Sequence, residues 1–202
     1  MYIARILYPV KVLGPGLRIG IWFAGCKHHC QGCSNPELWD FSEKYSTTLN
    51  DVMQLIESVS DTHKVDGFTL TGGDPIEQHR ELVTLLKKLR TISDDILCYT
   101  GYTIDQVREK CPEVLSEISV LIDGKYIEKE NHEEPLRGSQ NQNIIILKEK
   151  FNSSYSQYIN HSGNQIQNFF TLNSAISVGI HKPGYESDLN RVLIGKGLLK
   201  DE

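Results

Sequence analysis

The sequence predicts an α/β fold, a partial, open β/α barrel of about five or six mainly parallel strands followed by a C-terminal hairpin-plus-helix appendage. Two observations predict the sheet. Strand-like and helix-like runs alternate along most of the chain, and four of the strand-like runs end in short glycine-containing or cysteine-rich polar segments. Repeated strand and helix units imply parallel strands joined by crossover helices. A third observation sets the size: 202 residues, 39% of them apolar, can bury one sizeable core. That is too little chain for a closed eight-stranded barrel.

Taken in order, the alternation of apolar and polar residues over 2–7 predicts a first strand, and Gly14-Pro15-Gly16 a turn into a second strand over 18–23. The apolar residues Leu49, Val52, Met53, Ile56 and Val59 fall at helical spacing, with Thr48 or Asn50 near the start. A short buried strand over 67–70 follows and ends in Thr71-Gly72-Gly73-Asp74-Pro75. Leu82, Leu85, Leu86 and Leu89 share one face of a helix over about 77–90, then come a strand over 96–99 and a helix from about Thr103. Two further strand-like runs, 118–122 and 143–147, complete the series. Residues 153–164 are polar and read as a loop or linker. Beyond them, 166–171 and 175–180 flank Leu172-Asn173-Ser174 as a hairpin. A last helix starts near Pro183 and Gly184, carries Leu189, Val192 and Leu193 at helical spacing and ends at Gly195 and Gly197. The domain boundary is therefore expected at 152, with a core of 1–152 and an appendage of 153–202 packed on it.

Composition excludes several classes of function. The 21 basic and 26 acidic side chains give a formal charge of −5, and no cluster of Lys and Arg is dense enough to follow a phosphate backbone, so no nucleic-acid partner is expected. The N-terminal residues lack the continuous apolar run of a signal peptide or a membrane span. A cytoplasmic protein without membrane contacts is the expectation. Five cysteines, an odd number, without an export signal argue against a disulfide framework. Cys98 and Cys111 read as small buried hydrophobes.

In α/β sheets ligands collect beyond the carboxyl ends of the parallel strands. The cysteine loop, the Thr-Gly-Gly-Asp turn, Thr100-Gly101-Tyr102 and Asp123-Gly124-Lys125 each follow a predicted strand. Together they outline one site on one rim. Cys26, Cys30 and Cys33 lie within one loop, close enough to hold one metal centre. Soft thiolates suit zinc or an iron–sulfur cluster. Zinc would require a fourth ligand, which His28 or His29 could supply, whereas a [4Fe-4S] cube held by three cysteines leaves one iron open. If they are not ligands, the two histidines are solvated loop residues. Gly72 and Gly73 permit close approach to the backbone, and Asp74 complements an ammonium group.

The three-residue and two-residue gaps between the cysteines, following one strand, with a glycine-glycine-acid turn on the next, resemble the radical S-adenosylmethionine superfamily. Gly14-Pro15-Gly16-Leu17-Arg18, the Gln31-Gly32 pair before the last cysteine, Asp123-Gly124-Lys125 and Arg137-Gly138-Ser139-Gln140-Asn141-Gln142 narrow the resemblance to the glycyl-radical activating enzymes, those of anaerobic ribonucleotide reductase above all, over about residues 1–147. Two departures stand out. Asp74 replaces the commoner Glu, and Gly32 stands where an aromatic residue often packs on the adenine, which leaves Tyr99 and Tyr102 as candidates for that role.

The resemblance implies that Cys26, Cys30 and Cys33 ligate a [4Fe-4S] cluster whose open iron is chelated by S-adenosylmethionine. It also implies that Gly72, Gly73 and Asp74 bind the cofactor's amino group, and that Asp123 and Lys125 hold its ribose and carboxylate region. The alternative for that last pair is a turn with solvated charges. Arg137 is placed either to clamp a carboxylate or to meet a partner protein. The implied reaction takes one electron from a flavodoxin-like or ferredoxin-like donor and cleaves S-adenosylmethionine to methionine and a 5′-deoxyadenosyl radical. That radical abstracts hydrogen from a glycine of a partner such as an anaerobic ribonucleotide reductase. No catalytic side chain beyond those holding cluster and cofactor is expected. The same radical chemistry on a peptide, nucleotide or small molecule is the alternative. A non-catalytic iron–sulfur or zinc module would leave the glycine-glycine-acid turn unexplained.

Overall fold

A computed structural model describes residues 1–161, 165–170 and 175–195. Its centre is a six-stranded sheet in which strand order follows chain order. Strands β1 (Ile3–Val10) and β2 (Arg18–Phe23) pair antiparallel. Strands β2, β3 (Gly67–Gly72), β4 (Ile96–Tyr99) and β5 (Val120–Asp123) run parallel, and β6 (Asn143–Ile146) returns antiparallel. The sheet is thus mixed, with its parallel strands at the centre and antiparallel strands at both edges. Every residue of β2 is buried, as expected of a central strand covered on both faces.

Helices α1 (Leu49–Ser60), α2 (His79–Leu89), α3 (Ile104–Lys110) and α4 (Pro112–Glu117) make the connections between parallel strands. Thr48, one of the two expected starts, caps α1 in a reciprocal box with Asp51, and Thr103 caps α3 with Gln106 in the same way. Leu82, Leu85, Leu86 and Leu89 of α2 are fully buried, which is the stripe that the spacing predicts. These helices pack against one face of the sheet, on Ile19, Ile21, Phe23, Phe68 and Leu70. Cys98 and Cys111 belong to that core and are buried thiols, as expected.

The other face holds a correction. Residues expected as a polar linker form helix α5 (Asn152–His161). Tyr155 is fully buried, and with Phe151 and Tyr158 it packs on Leu97, Val120, Ile122, Ile144 and Ile146. Tyrosines three apart supply an apolar stripe that the surrounding polar residues conceal. The Tyr155 hydroxyl donates to Asp95 Oδ1 at 2.7 Å. Asp95 is the ion-pair partner of the wholly buried Arg18, at 2.8 Å, and that guanidinium also donates to Thr69 Oγ1 and the Phe68 carbonyl. A charge so deeply buried is tolerable because each of its donors is satisfied. The boundary expected at 152 thus falls at the start of a helix that is part of the core.

The expected hairpin is present as a separate two-stranded sheet, β7 (Ile166–Phe170) and β8 (Ala175–Gly179), and α6 (Tyr185–Gly195) follows it. The turn expected at Leu172-Asn173-Ser174 and the end of the last helix at Gly197 lie outside the described residues. Gln167 ties the hairpin to the edge of β1, donating to the Pro9 carbonyl at 2.7 Å and accepting from the Lys11 N–H at 2.9 Å. Val178 is 2% exposed, in one cluster with Val10, Val12, Leu13, Trp22 and Leu38. The hairpin thus covers the Trp22 side of the sheet, opposite the face on which α1 and α2 pack. Among the described residues no helix is long and apolar enough to cross a membrane.

Candidate functional site

The four strand ends singled out by sequence do share one rim. Thr71 and Gly72 at the end of β3, Gly73 and Asp74 just beyond it, Thr100 and Gly101 after β4, and Gly124 after β5 line a cavity of about 190 Å³, together with Cys26, Cys30 and Cys33. All three cysteines are free thiols at intermediate exposure. Backbone hydrogen bonds stitch the loop that carries them to its surroundings. Gly25 N donates to the Leu38 carbonyl and Cys26 N to that of Trp39, both at 2.8 Å, while Asp74 N donates to the Gly25 carbonyl at 2.8 Å. The cysteine loop and the glycine turn are thus joined directly. Gly73 shows why the turn needs glycine: a Cβ there would stand 2.6 Å from the Gly25 oxygen.

Asp74 is 1% exposed and its carboxylate is densely occupied. It accepts from Ile76 N, from Thr100 Oγ1 and from Gly101 N, each at 2.9 Å. The remaining approach is taken by His28, whose Nε2 lies 2.9 Å from Asp74 Oδ2. The His28 side chain is only 8% exposed, its ring stands edge-on to Tyr102 at 4.6 Å, and it closes over Gly101, where any Cβ would collide with the imidazole. The solvated reading therefore fails for His28. It is a strut between the cysteine loop and the ends of β3 and β4. His29 is exposed, has positive φ and stacks on Trp39 at 4.7 Å.

Burial pushes the Cys26 thiol up to about 11, against the backbone N–H groups of His28 and His29 that favour the thiolate. Burial also raises Cys30, opposed by the Tyr126 backbone N–H and the positive charge of Lys125. A bound metal centre reverses that balance, because coordinated thiols are deprotonated. Among the described residues no three His, Cys, Asp or Glu side chains converge on a point fit for a single metal ion. Three thiols from one loop, lining one cavity with the glycine turn, fit a cluster with more than one metal corner.

The turn after β5 has its own set of contacts. Asp123 is buried, and its oxygens accept from Ile104 N at 2.7 Å and from Asn143 Nδ2 at 2.9 Å, so it ties the end of β5 to α3 and β6. Lys125 is exposed. Arg137 donates to the Gln142 carbonyl at 2.9 Å and pairs with Glu134, while Gln142 donates to the Gly124 carbonyl at 2.8 Å. The Arg137–Gln142 segment is thereby a brace for the Gly124 turn. Tyr99 lines the cavity with its hydroxyl on the Leu136 carbonyl, whereas the Tyr102 hydroxyl turns to Glu77. Trp22, Trp39 and Tyr126 also line the cavity and were not singled out from sequence. For Trp22 a signal existed: on β2 it alternates with Ile21 and Phe23, which face the helices.

Residues 12–145 match the family described as the 4Fe-4S single cluster domain. The chain is 36% identical over 143 residues to a protein of Enterobacteria phage T4, a match that covers 68% of this chain and 90% of the phage protein. It is 37% identical over 151 residues to a protein of Haemophilus influenzae and 33% over 150 residues to one of Escherichia coli K12, each match covering 70% of this chain and 96% of the relative. All three relatives are named anaerobic ribonucleoside-triphosphate reductase-activating protein.

Proposed function

This chain belongs to the 4Fe-4S single cluster domain family, close to the anaerobic ribonucleoside-triphosphate reductase-activating proteins, and from that membership we propose that it is a radical S-adenosylmethionine activating enzyme for a glycyl-radical partner protein. What carries the proposal is that the three free thiols and the Gly72-Gly73 backbone open onto one cavity at the ends of the parallel strands. When bound, the cluster and S-adenosylmethionine together supply a reductively generated 5′-deoxyadenosyl radical able to take a hydrogen atom from a glycine.

In this reading Cys26, Cys30 and Cys33 hold the cluster. Gly72 and Gly73 present backbone to the amino group of the cofactor, and glycine at both positions lets the turn pack against the backbone of Phe23 and Gly25. Asp74 gives the amino group a negative surrounding and, through Thr100 and Gly101, fixes the rim. Lys125, whose charge reaches Cys30, meets the cofactor's carboxylate, and Asp123 holds the turn that carries Lys125. The apolar wall formed by Trp22, Leu13 and Val178 excludes water from the reacting atoms. The curvature of a partial barrel, an electron donor of the flavodoxin or ferredoxin kind and a cytoplasmic setting belong to the same reading.

Anaerobic reconstitution with iron and sulfide, then dithionite and S-adenosylmethionine, tests it. The full chain should take up about four irons, change its cluster spectrum on adding the cofactor and release methionine and 5′-deoxyadenosine. Replacing any one of the three cysteines with Ser should abolish all three signals. Stoichiometric zinc with no cluster after anaerobic purification would refute the proposal.

A further inference from the structure

The family match ends at residue 145, yet the cavity does not. Its remaining wall comes from Ser177, Val178, Gly179, Ile180 and His181. Successive side chains of an extended strand point to opposite faces. Five consecutive lining residues therefore mean that β8 and its continuation present an edge, not a face, to the cavity. On its other side β8 pairs with β7 from Ala175 to Gly179. Among the described residues, no backbone group of Ala175–Ile180 bonds outside that ladder. The unpaired edge of a strand offers alternating N–H and C=O groups to another extended chain.

This edge is held in place at both ends. Gln167 anchors the hairpin to β1, and Asn131 Nδ2 donates to the His181 carbonyl at 2.9 Å while also donating to the Tyr126 hydroxyl. Val178 is seated on Trp22 and Leu13. Ser177 Oγ lies 2.9 Å from the Tyr185 hydroxyl, and the His181 ring stacks on Tyr185 at 4.4 Å. The edge is thus a wall of the same cavity that the cysteines line, contributed by residues beyond the family match.

We propose that this edge, Ser177 to Ile180, is the substrate-specifying element of the site. It holds an extended, glycine-bearing segment of the partner protein by backbone pairing, so that the glycine faces the cysteine side of the cavity. Glycine suits that place because a segment without a side chain at the reacting position can lie against both walls. The inference rests on the activating-enzyme reading, and its test separates the two.

The test is hydrogen exchange of the anaerobically reconstituted full chain, alone and with the anaerobic ribonucleoside-triphosphate reductase encoded by the same genome. Amides within 175–181 should exchange more slowly in the presence of the reductase. Protection confined to other segments overturns this inference and leaves the activating-enzyme reading standing. No protection anywhere overturns both.

Discussion

Changing Tyr155 to Phe isolates one hydrogen bond whose loss should be measurable in stability alone. The side chain is fully buried in α5, and its hydroxyl is 2.7 Å from Asp95 Oδ1. Removal of the hydroxyl leaves Asp95 with the Arg18 guanidinium, at 2.8 Å on the other oxygen and 3.2 Å on the same one. The carboxylate therefore stays paired, and the loss should be about 1–2 kcal/mol, below that of stranding a buried charge. Tyr155→Ala removes the ring as well and empties the cluster around Leu97, Val120 and Ile122, for a loss of about 3–5 kcal/mol. Urea unfolding followed by circular dichroism reads both as a lower midpoint at unchanged slope. The same logic separates two truncations. A chain ending at Phe151 loses α5 and should be destabilised at least as much as Tyr155→Ala, whereas one ending at His161 keeps the Tyr155 cluster and gives up only what the hairpin contributes through Val178. If Tyr155→Phe and the chain ending at Phe151 both unfold at the wild-type midpoint, α5 is an appendage after all.

Gly73→Ala would place a methyl 2.6 Å from the Gly25 oxygen, and the cysteine loop must shift to admit it. The outcome should be lower iron uptake per chain, read by metal analysis of the reconstituted protein. Lys125→Ala should retain its iron while raising the S-adenosylmethionine concentration needed for half-maximal spectral change; Asp74→Ala should do the same and also lower thermal stability, since Ile76, Thr100, Gly101 and His28 all lose their acceptor. Glu77 lies below the ordinary carboxylate range: burial opposes this, but bonds from Lys27 and Tyr102 outweigh it. Its contribution is then complete above its unfolded value of about 4.3 and is lost as pH falls through the lower folded value. Thermal melting from pH 6 down to pH 3 should accordingly show a shallower acid loss in Glu77→Gln than in the unaltered chain.

Much of the architecture could be read from local pattern. The leucines of α2 and the threonine starts of α1 and α3 are signals carried within a few residues, and the polar turns after β3, β4 and β5 mark strand ends that a parallel sheet must gather on one side. What escaped depends on contacts between distant residues. His28 meets Asp74 across 46 positions, and nothing near it in sequence announces a buried partner. Asp123 and Arg137 carry charges that suit a ligand, yet each is engaged by neighbouring backbone. The helix at 152–161 was hidden because its stripe is tyrosine among Ser, Asn and Gln. The hairpin could be recognised as a hairpin; that it closes a cavity formed by other strands could not, because a two-stranded unit is free to pack anywhere its apolar side is accepted.

Strand order that copies chain order has a consequence for how the molecule comes together. Each strand after the first pairs with its immediate predecessor, so the sheet, the cysteine loop and the glycine turns need no closure longer than the 49 residues from Arg18 to Gly67 and are available once the chain has been synthesised to Ile146. The bonds from Gln167 to Pro9 and Lys11 span 158 and 156 residues and can form only later. During synthesis from the N-terminus, the cavity therefore passes through a stage at which its thiols are already gathered and one side still stands open. That stage ends when residues 175–181 arrive to shut it.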